Sequence, residues 1–450
     1  MQNGTLLEGS VSRGLLRFVL PILAGNLLQQ LYNAADSLIV GQFVGETALG
    51  AMGTSQPIYT VMISLLVGLG VGMEILLGRY VGEKNHKATK QVLDTMFTFV
   101  MVMSIVVGIV GYFAVPSLLR LIRTQPEHMQ GATGYLQIIF IGIPGIAGYN
   151  TLAGAIRASG NSKVPLIFLV ICAVLHVVLD LVAVKGLNMG IQGAALATTI
   201  SQLLSFLMCL YYINHHSIGM RYSLKKLDLS GQMLKQSLVY SVPASIQQGA
   251  MSVGMLLLQV VVNGLSAQAV TAYTIASKID SFASVPITNL GQALSIFTSQ
   301  NLGAGNTERV YEGKRKCLQW TYLICGGLLV ILWLFGGTMA EMFGATGETV
   351  EMVKIYLRIL SLGYFVAGYY TVILGLIQGT GNTVVPMLIN MISYWMVRLP
   401  VAWVLQRYLG FYGVCISIIA CWILAFIATM FFANSKKFKR SLDMWGRKGG

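Results

Sequence analysis

The sequence predicts an all-α polytopic membrane protein, with twelve transmembrane helices in two pseudo-symmetric six-helix bundles that are parallel repeats of each other. Low charge, recurring apolar runs and an internal duplication predict it. Of 450 residues, 10% are charged and 55% hydrophobic, and the mean hydropathy is +0.70. Soluble domains carry about 25% charged residues, so this chain has little surface to hold in water. Runs long and apolar enough to span a bilayer fall at roughly 14–40, 47–77, 91–115, 131–156, 164–184, 191–213, 237–262, 268–299, 317–338, 350–377, 385–406 and 412–433.

The duplication has an offset of 221 residues. GRYVGEKN, starting at Gly78, is repeated as SQNLGAGN from Ser299, and SGNSKVP from Ser159 as TGNTVVP from Thr380. In the first pair Gly82 and Asn85 match Gly303 and Asn306; in the second Gly160, Asn161 and Pro165 match Gly381, Asn382 and Pro386. Pro21 and Pro243 differ by 222, and Gly193 and Gly413 by 220. The predicted organisation is therefore an N-terminal bundle (1–213), a basic cytoplasmic linker (214–236) and a C-terminal bundle with a basic tail (237–450). Six is even, so both halves enter the membrane from the same side, as in parallel-repeat transporters.

Net charge is +14, which alone would suggest nucleic acid. Its distribution excludes that. With both termini cytoplasmic, the inner side holds 22 basic residues, from Arg13 and Arg17 through Lys84, Arg157, Lys226, Arg309 and Lys314 to Lys436, Lys437, Arg440, Arg447 and Lys448. The outer side holds four: Arg120, Arg123, Lys185 and Arg407. This is the positive-inside bias, and it sets topology. The six cysteines have neither metal-ligand nor disulfide spacing and read as small core residues. The first apolar run is too long for a cleaved signal peptide. No loop is long enough for a soluble domain, and no cofactor is expected.

Each element has a local reason. Pro21 and Pro243 interrupt the backbone ladders of the first and seventh helices and mark candidate hinges. Asn26, Gln29, Gln30, Asn33, Asp36 and Ser37 recur at steps of three and four, a polar stripe on an apolar helix. Facing lipid would be costly, so the stripe should face the protein interior. In the elbows, Gly and Asn end one helix in left-handed backbone and Pro starts the next. His176 and Asp180 are four apart on the fifth helix and share a face. Thr198, Gln202 and Ser205 form a polar face on the sixth, and Gln248, Ser252, Gln259 and Asn263 one on the seventh, near Met251 and Met255. Methionine adapts to varied ligands, although ordinary helix packing also explains this face.

Taken in order, the first-helix proline, the acid half a helix later, both elbows and the Ala-Thr-x-Ile-Ser stretch (Ala197 to Ser201) resemble the multidrug and toxic compound extrusion (MATE) family, in its bacterial DinF-like branch. The resemblance covers essentially the whole chain. It implies a monomeric inner-membrane exporter of amphipathic or cationic small molecules, driven by entry of H+ or Na+. It also implies that protonation of Asp36 changes the bend near Pro21. A coupling role carries over to Asp36, Asp180 and Thr198, with Asn33 beside them. It carries over imperfectly to His176, where many relatives have asparagine. An imidazole is a poorer ligand for a hard cation than an amide oxygen and titrates near neutral pH, which favours proton over sodium coupling. Gln29, Gln248, Met251, Met255 and Gln259 are candidate substrate contacts.

Comparing the halves supports the first as the seat of ion chemistry. Near an offset of 221, Asp36 meets Leu258, Asp180 meets Val401, His176 meets Val397 and Thr198 meets Ile418. Lys278, Asp280 and Arg398 lie in predicted spans of the second half and are expected to form a structural ion pair. Glu74 is expected to reach the cytoplasmic surface. A lipid-linked saccharide flippase is the alternative function, disfavoured by the scarcity of intramembrane cations. A membrane enzyme would need catalytic groups in larger loops.

Overall fold

The structure is a computed structural model that describes residues 6–216, 220–223, 225, 227–436, 438–439 and 442. Of the inner-face charges, Lys226, Lys437, Arg440, Arg447 and Lys448 lie outside the described residues. The chain forms twelve helical spans: α1 Val11–Phe43, α2 Glu46–Gly82, α3 His86–Leu121, α4 Pro126–Ala158, α5 Lys163–Gly186 and α6 Gly190–His216, then α7 Gly231–Asn263, α8 Ala267–Gly303, α9 Thr307–Met342, α10 Glu348–Gly379, α11 Val384–Leu409 and α12 Phe411–Asn434. Inside hydrocarbon every backbone polar group must be bonded within its own segment, and the helix does that. Eleven of the spans are long and apolar enough to cross a bilayer. The other, α8, is as long but more polar, and it turns its polarity inward: Asn289, Ser295, Thr298, Ser299, Gln300 and Asn301 are all buried.

The duplication is visible in the backbone. Helix starts in the two halves repeat at the sequence offset, and so do residues in left-handed backbone. Gly160 and Gly381 have φ of 92° and 90°, and Lys84 and Gly305 have 55° and 74°. The first elbow therefore turns two residues after Gly82 and Gly303, which instead end their helices. The elbow asparagines cap the next helix: Asn85 accepts the Ala88 N–H (3.1 Å), Asn161 the Val164 N–H (3.3 Å) and Asn382 the Val385 N–H (3.1 Å). Both fifth helices contain a π-helical segment, Leu181–Gly186 in α5 and Ile392–Arg398 in α11. Such segments are rare and recur at functional sites.

The described chain packs as two compact units. They are not cut at the linker. The first holds Leu20–Gly249 and the second Leu6–Val19 with the chain from Ala250 onward, so packing boundary and repeat boundary differ. The reason lies in small residues. The Ser241 hydroxyl on α7 donates to the Leu69 carbonyl (2.9 Å), and the backbone at Ser241 and Ser245 fills the space a Cβ would need on Gly72 and Gly68 of α2. In the first unit α4 is the most buried span and packs against α2, α3 and α6. The linker is tied to α3: Asp94 accepts from the Asp228 N–H (3.0 Å), Thr95 from the Ser230 N–H (3.1 Å), and Tyr222 meets the Phe97 ring edge-on at 4.7 Å. In the second unit Arg309 donates to the carbonyls of Leu6 and Gly9 (3.1 and 2.8 Å), which fastens that segment to α9.

Helices α8 and α10 touch most closely where two glycines face each other. A Cβ on Gly375 would overlap the backbone carbonyl of Gly291, whereas one on Gly326 of α9 meets nothing within 4 Å. Gly375→Ala is therefore expected to cost about 1–3 kcal/mol through overpacking, and Gly326→Ala to be close to neutral. Thermal unfolding of the two variants in detergent checks the contrast.

Candidate functional site

Three helices of the first unit bring their polar faces together. Asp36 lies on α1, one turn after Tyr32. On α5, His176 and Asp180 sit on the last regular turns before the π segment, and Thr198 lies two turns into α6. All four are buried, with exposures of 5%, 1%, 0% and 4%. His176 Nδ1 stands 3.4 Å from Asp180 Oδ2, and His176 Nε2 is 3.1 Å from the Thr198 hydroxyl. Ligating atoms of Asp36, His176 and Asp180 lie within 4.8 Å of one another. The Tyr32 ring meets the imidazole edge-on at 4.7 Å, which fixes the ring plane.

Several of these atoms are unsatisfied. Asp36 Oδ1, both Asp180 oxygens and His176 Nδ1 are buried without a hydrogen-bond partner. Buried polar atoms are normally paired, and leaving one unpaired costs about 1–3 kcal/mol, more if charged. Ionised carboxylates only accept hydrogen bonds, so the two acids can bond to each other only by sharing a proton. A cation bound by both is the other way to satisfy them. The cluster therefore suits uptake and release of a positive ion.

The remaining predicted residues fall into place unevenly. Asn33 and Gln29 share the stripe with Asp36, but their side chains are exposed, and the described contact of Asn33 is its carbonyl, which accepts from Ser37 (3.1 Å). On α7, Gln248 and Met251 are half-buried, Met255 is 56% exposed, and Gln259 donates to Asn263 (2.8 Å). Pro21 and Pro243 lie inside continuous helices. Sequence reasoning missed three phenols near Asp36: Tyr32, Tyr59 and Tyr135. Tyr32 could have been found, since it precedes Asp36 by four residues on the same face. Tyr59 and Tyr135 come from α2 and α4 and carry no such signal.

Two expectations are corrected. Glu74 does not reach the surface. It is buried, with Oε1 accepting from Arg157 Nη2 at 2.6 Å, and Gly154 leaves the room that the carboxylate occupies. Among the described residues no ion pair joins Asp280 to Arg398 or Lys278. Asp280 instead takes the Tyr364 hydroxyl at 2.6 Å, Arg398 lies over the Tyr394 ring at 4.7 Å, and Lys278 is exposed. A tyrosine can satisfy a buried acid without the desolvation of a second charge.

A family model, MatE, matches this chain twice, over residues 21–182 and 243–404. The two matches are 222 residues apart and both begin on a candidate hinge proline. The chain is 30% identical over 414 residues to the probable multidrug resistance protein YpnP of Bacillus subtilis, covering 91% of this chain and 92% of that one. It is 26% identical over 445 residues to the probable multidrug resistance protein NorM of Thermotoga maritima, covering 96% and 94%. A crystal structure described as MATE in the bent conformation shares the fold, with a TM-score of 0.90 at 23% identity over 99% of this chain and 98% of that one.

The Glu74–Arg157 pair gives a stability test that leaves the carboxylate cluster untouched. Arg157→Met strands a buried carboxylate and is expected to cost about 3–5 kcal/mol. Adding Glu74→Met should recover most of that loss. A double-mutant cycle of thermal unfolding reads the coupling.

Proposed function

Since the chain belongs to the multidrug and toxic compound extrusion (MatE) family, we propose that it exports amphipathic, often cationic organic molecules in exchange for an entering cation, H+ rather than Na+. It is a multi-pass membrane protein and a secondary transporter, not an enzyme. The observation that carries the proposal is the buried Asp36–His176–Asp180–Thr198 cluster, with its unsatisfied acceptors. Ionisable groups inside a membrane are expensive and mark ion pathways. The multidrug names of its relatives support the substrate class.

The donor set supports protons over sodium. A hard monovalent cation prefers oxygen ligands. Asp36, Asp180 and Thr198 supply oxygens, but the Thr198 hydroxyl is engaged by His176 and the imidazole offers nitrogen. A proton can be shared among all of these atoms. In the proposed cycle, protonation neutralises the carboxylate pair and deprotonation restores its charge, so the cluster alternates between a state content in low dielectric and one that seeks water or a cation. Asn33 lies one turn from Asp36 on the approach along α1. Gln29, Gln248, Met251, Met255 and Gln259 are the proposed substrate contacts, and Pro21 and Pro243 the proposed hinges. The proposed location is the cytoplasmic membrane with both termini inside, as the basic-residue bias requires.

The experiment is transport by purified protein in proteoliposomes, with pH and sodium gradients imposed separately. A pH gradient should drive uptake of a fluorescent cationic dye and a sodium gradient should not. Asp36→Asn should abolish that transport while the protein still inserts and folds; wild-type rates from this variant refute the assigned role. His176→Asn replaces nitrogen by an amide oxygen and should give a sodium response that the wild type lacks.

A further inference from the structure

The same cluster supports an inference that rests on its coupling role but concerns a different ion. We propose that Asp36, His176 and Asp180 form a reversible binding site for a divalent transition-metal ion, with Zn2+ the best fit, and that metal occupancy blocks export.

The donor set is two carboxylates and one imidazole, the ligands that divalent zinc takes. Zinc holds nitrogen and oxygen ligands at about 2.0–2.2 Å, which in a tetrahedron puts neighbouring donors about 3.4 Å apart. His176 Nδ1 and Asp180 Oδ2 are 3.4 Å apart, and one ligating atom of Asp36 lies within 4.8 Å of both residues' ligating atoms. The atoms a metal would use are the ones that lack partners: Asp36 Oδ1, Asp180 Oδ1 and Oδ2, and His176 Nδ1. They belong to side chains at least nine-tenths buried.

The outer contact of the histidine points the same way. A ligating imidazole usually donates its other ring N–H to an oxygen, which fixes the tautomer. Here Nε2 is 3.1 Å from the Thr198 hydroxyl. With the proton on that nitrogen, Nδ1 presents a lone pair to the carboxylates. Charge also selects for a divalent ion. Two carboxylates and one Zn2+ sum to zero, whereas one Na+ leaves a net negative charge buried in low dielectric. Three protein ligands leave a fourth position for water, the arrangement of an exchangeable site rather than a closed structural one. Since the metal uses the carboxylates that take up the coupling cation, the two exclude each other.

The test uses the detergent-purified full chain with Co2+ as a coloured probe and Zn2+ as competitor. Wild type should take up about one Co2+ per chain with the visible absorption of low-coordinate cobalt, and Zn2+ should displace it. His176→Asn should weaken binding by at least about 100-fold, and Thr198→Val, which removes only the outer contact, by about 10-fold. Circular dichroism and gel filtration establish that both variants fold. Absence of the band in wild type overturns the proposal. So does a band that survives His176→Asn, since the metal would then sit on the other histidines. In proteoliposomes, Zn2+ should inhibit wild-type dye transport, and His176→Asn should be resistant if it still transports; unchanged wild-type transport at saturating Zn2+ overturns the blocking role. If Zn2+ fails to bind while Asp36→Asn abolishes efflux, this inference falls and the exporter reading stands. If Zn2+ binds and Asp36→Asn exports normally, the exporter reading of the cluster falls and the metal site stands.

Discussion

Hydrocarbon provides no hydrogen-bond partners, and the rest of this structure depends on that constraint. Helices answer it for the backbone. Side chains must answer it one by one, and most do so locally: Ser55 bonds back to the Ala51 carbonyl, Thr54 to Gly50, and Ser205 to Ser201. Glu74 uses Arg157, and Asp280 uses Tyr364. Asp36 and Asp180 stand apart because each retains a buried oxygen with no such answer. A chain that satisfies its other intramembrane acids gains nothing structural from leaving these two unsatisfied. Their cost is intelligible if a mobile positive charge completes them for part of a cycle.

The duplicated scaffold lets the same constraint be met in two ways. Helix starts and left-handed turns recur at the repeat offset, but polar decoration does not. Opposite Glu74 and Arg157, at 221 residues, stand Ser295 and Gln378. Opposite Asp94, which holds the linker, stands Arg315. The second unit is not free of charge, however. At the offset of 222 given by the family match, His176 falls opposite Arg398 rather than Val397, and at 221 Tyr59 falls opposite Asp280. Each half therefore keeps ionisable groups within its spans, with different chemistry.

Much of this was legible in the sequence because it rests on spacing. Span number, the repeat and the elbows come from hydropathy and from Gly, Asn and Pro at fixed intervals. The pairing of His176 with Asp180 comes from a step of four on one helix. What the sequence could not show is contact between helices. Asn33 and Gln29 carry the same periodicity as Asp36, yet only Asp36 meets α5, because a stripe covers more arc than a single neighbour can bury. Glu74 sits near a helix end, where a surface position is the simple expectation; only the fold reveals Arg157 facing it across Gly154. Tyr59 and Tyr135 reach the cluster from helices whose sequence gives no reason to single them out. The boundary inside α7 was hidden because serine against glycine is a packing signal between helices, not along one.

The π segment of α5 has a consequence of a different kind. It accommodates an extra residue and so acts as a phase shifter within the helix. Removing one residue from Leu181–Gly186 would let the helix regularise and would rotate the chain beyond it by about 100°, while leaving His176 and Asp180 where they are. The chain next enters α6, which carries Thr198. A single-codon insertion or deletion at this point would thus turn the threonine toward or away from the imidazole without replacing any polar residue. Length variation in that stretch would give the lineage a coarse adjustment of ion preference, separate from the finer changes that point substitutions allow.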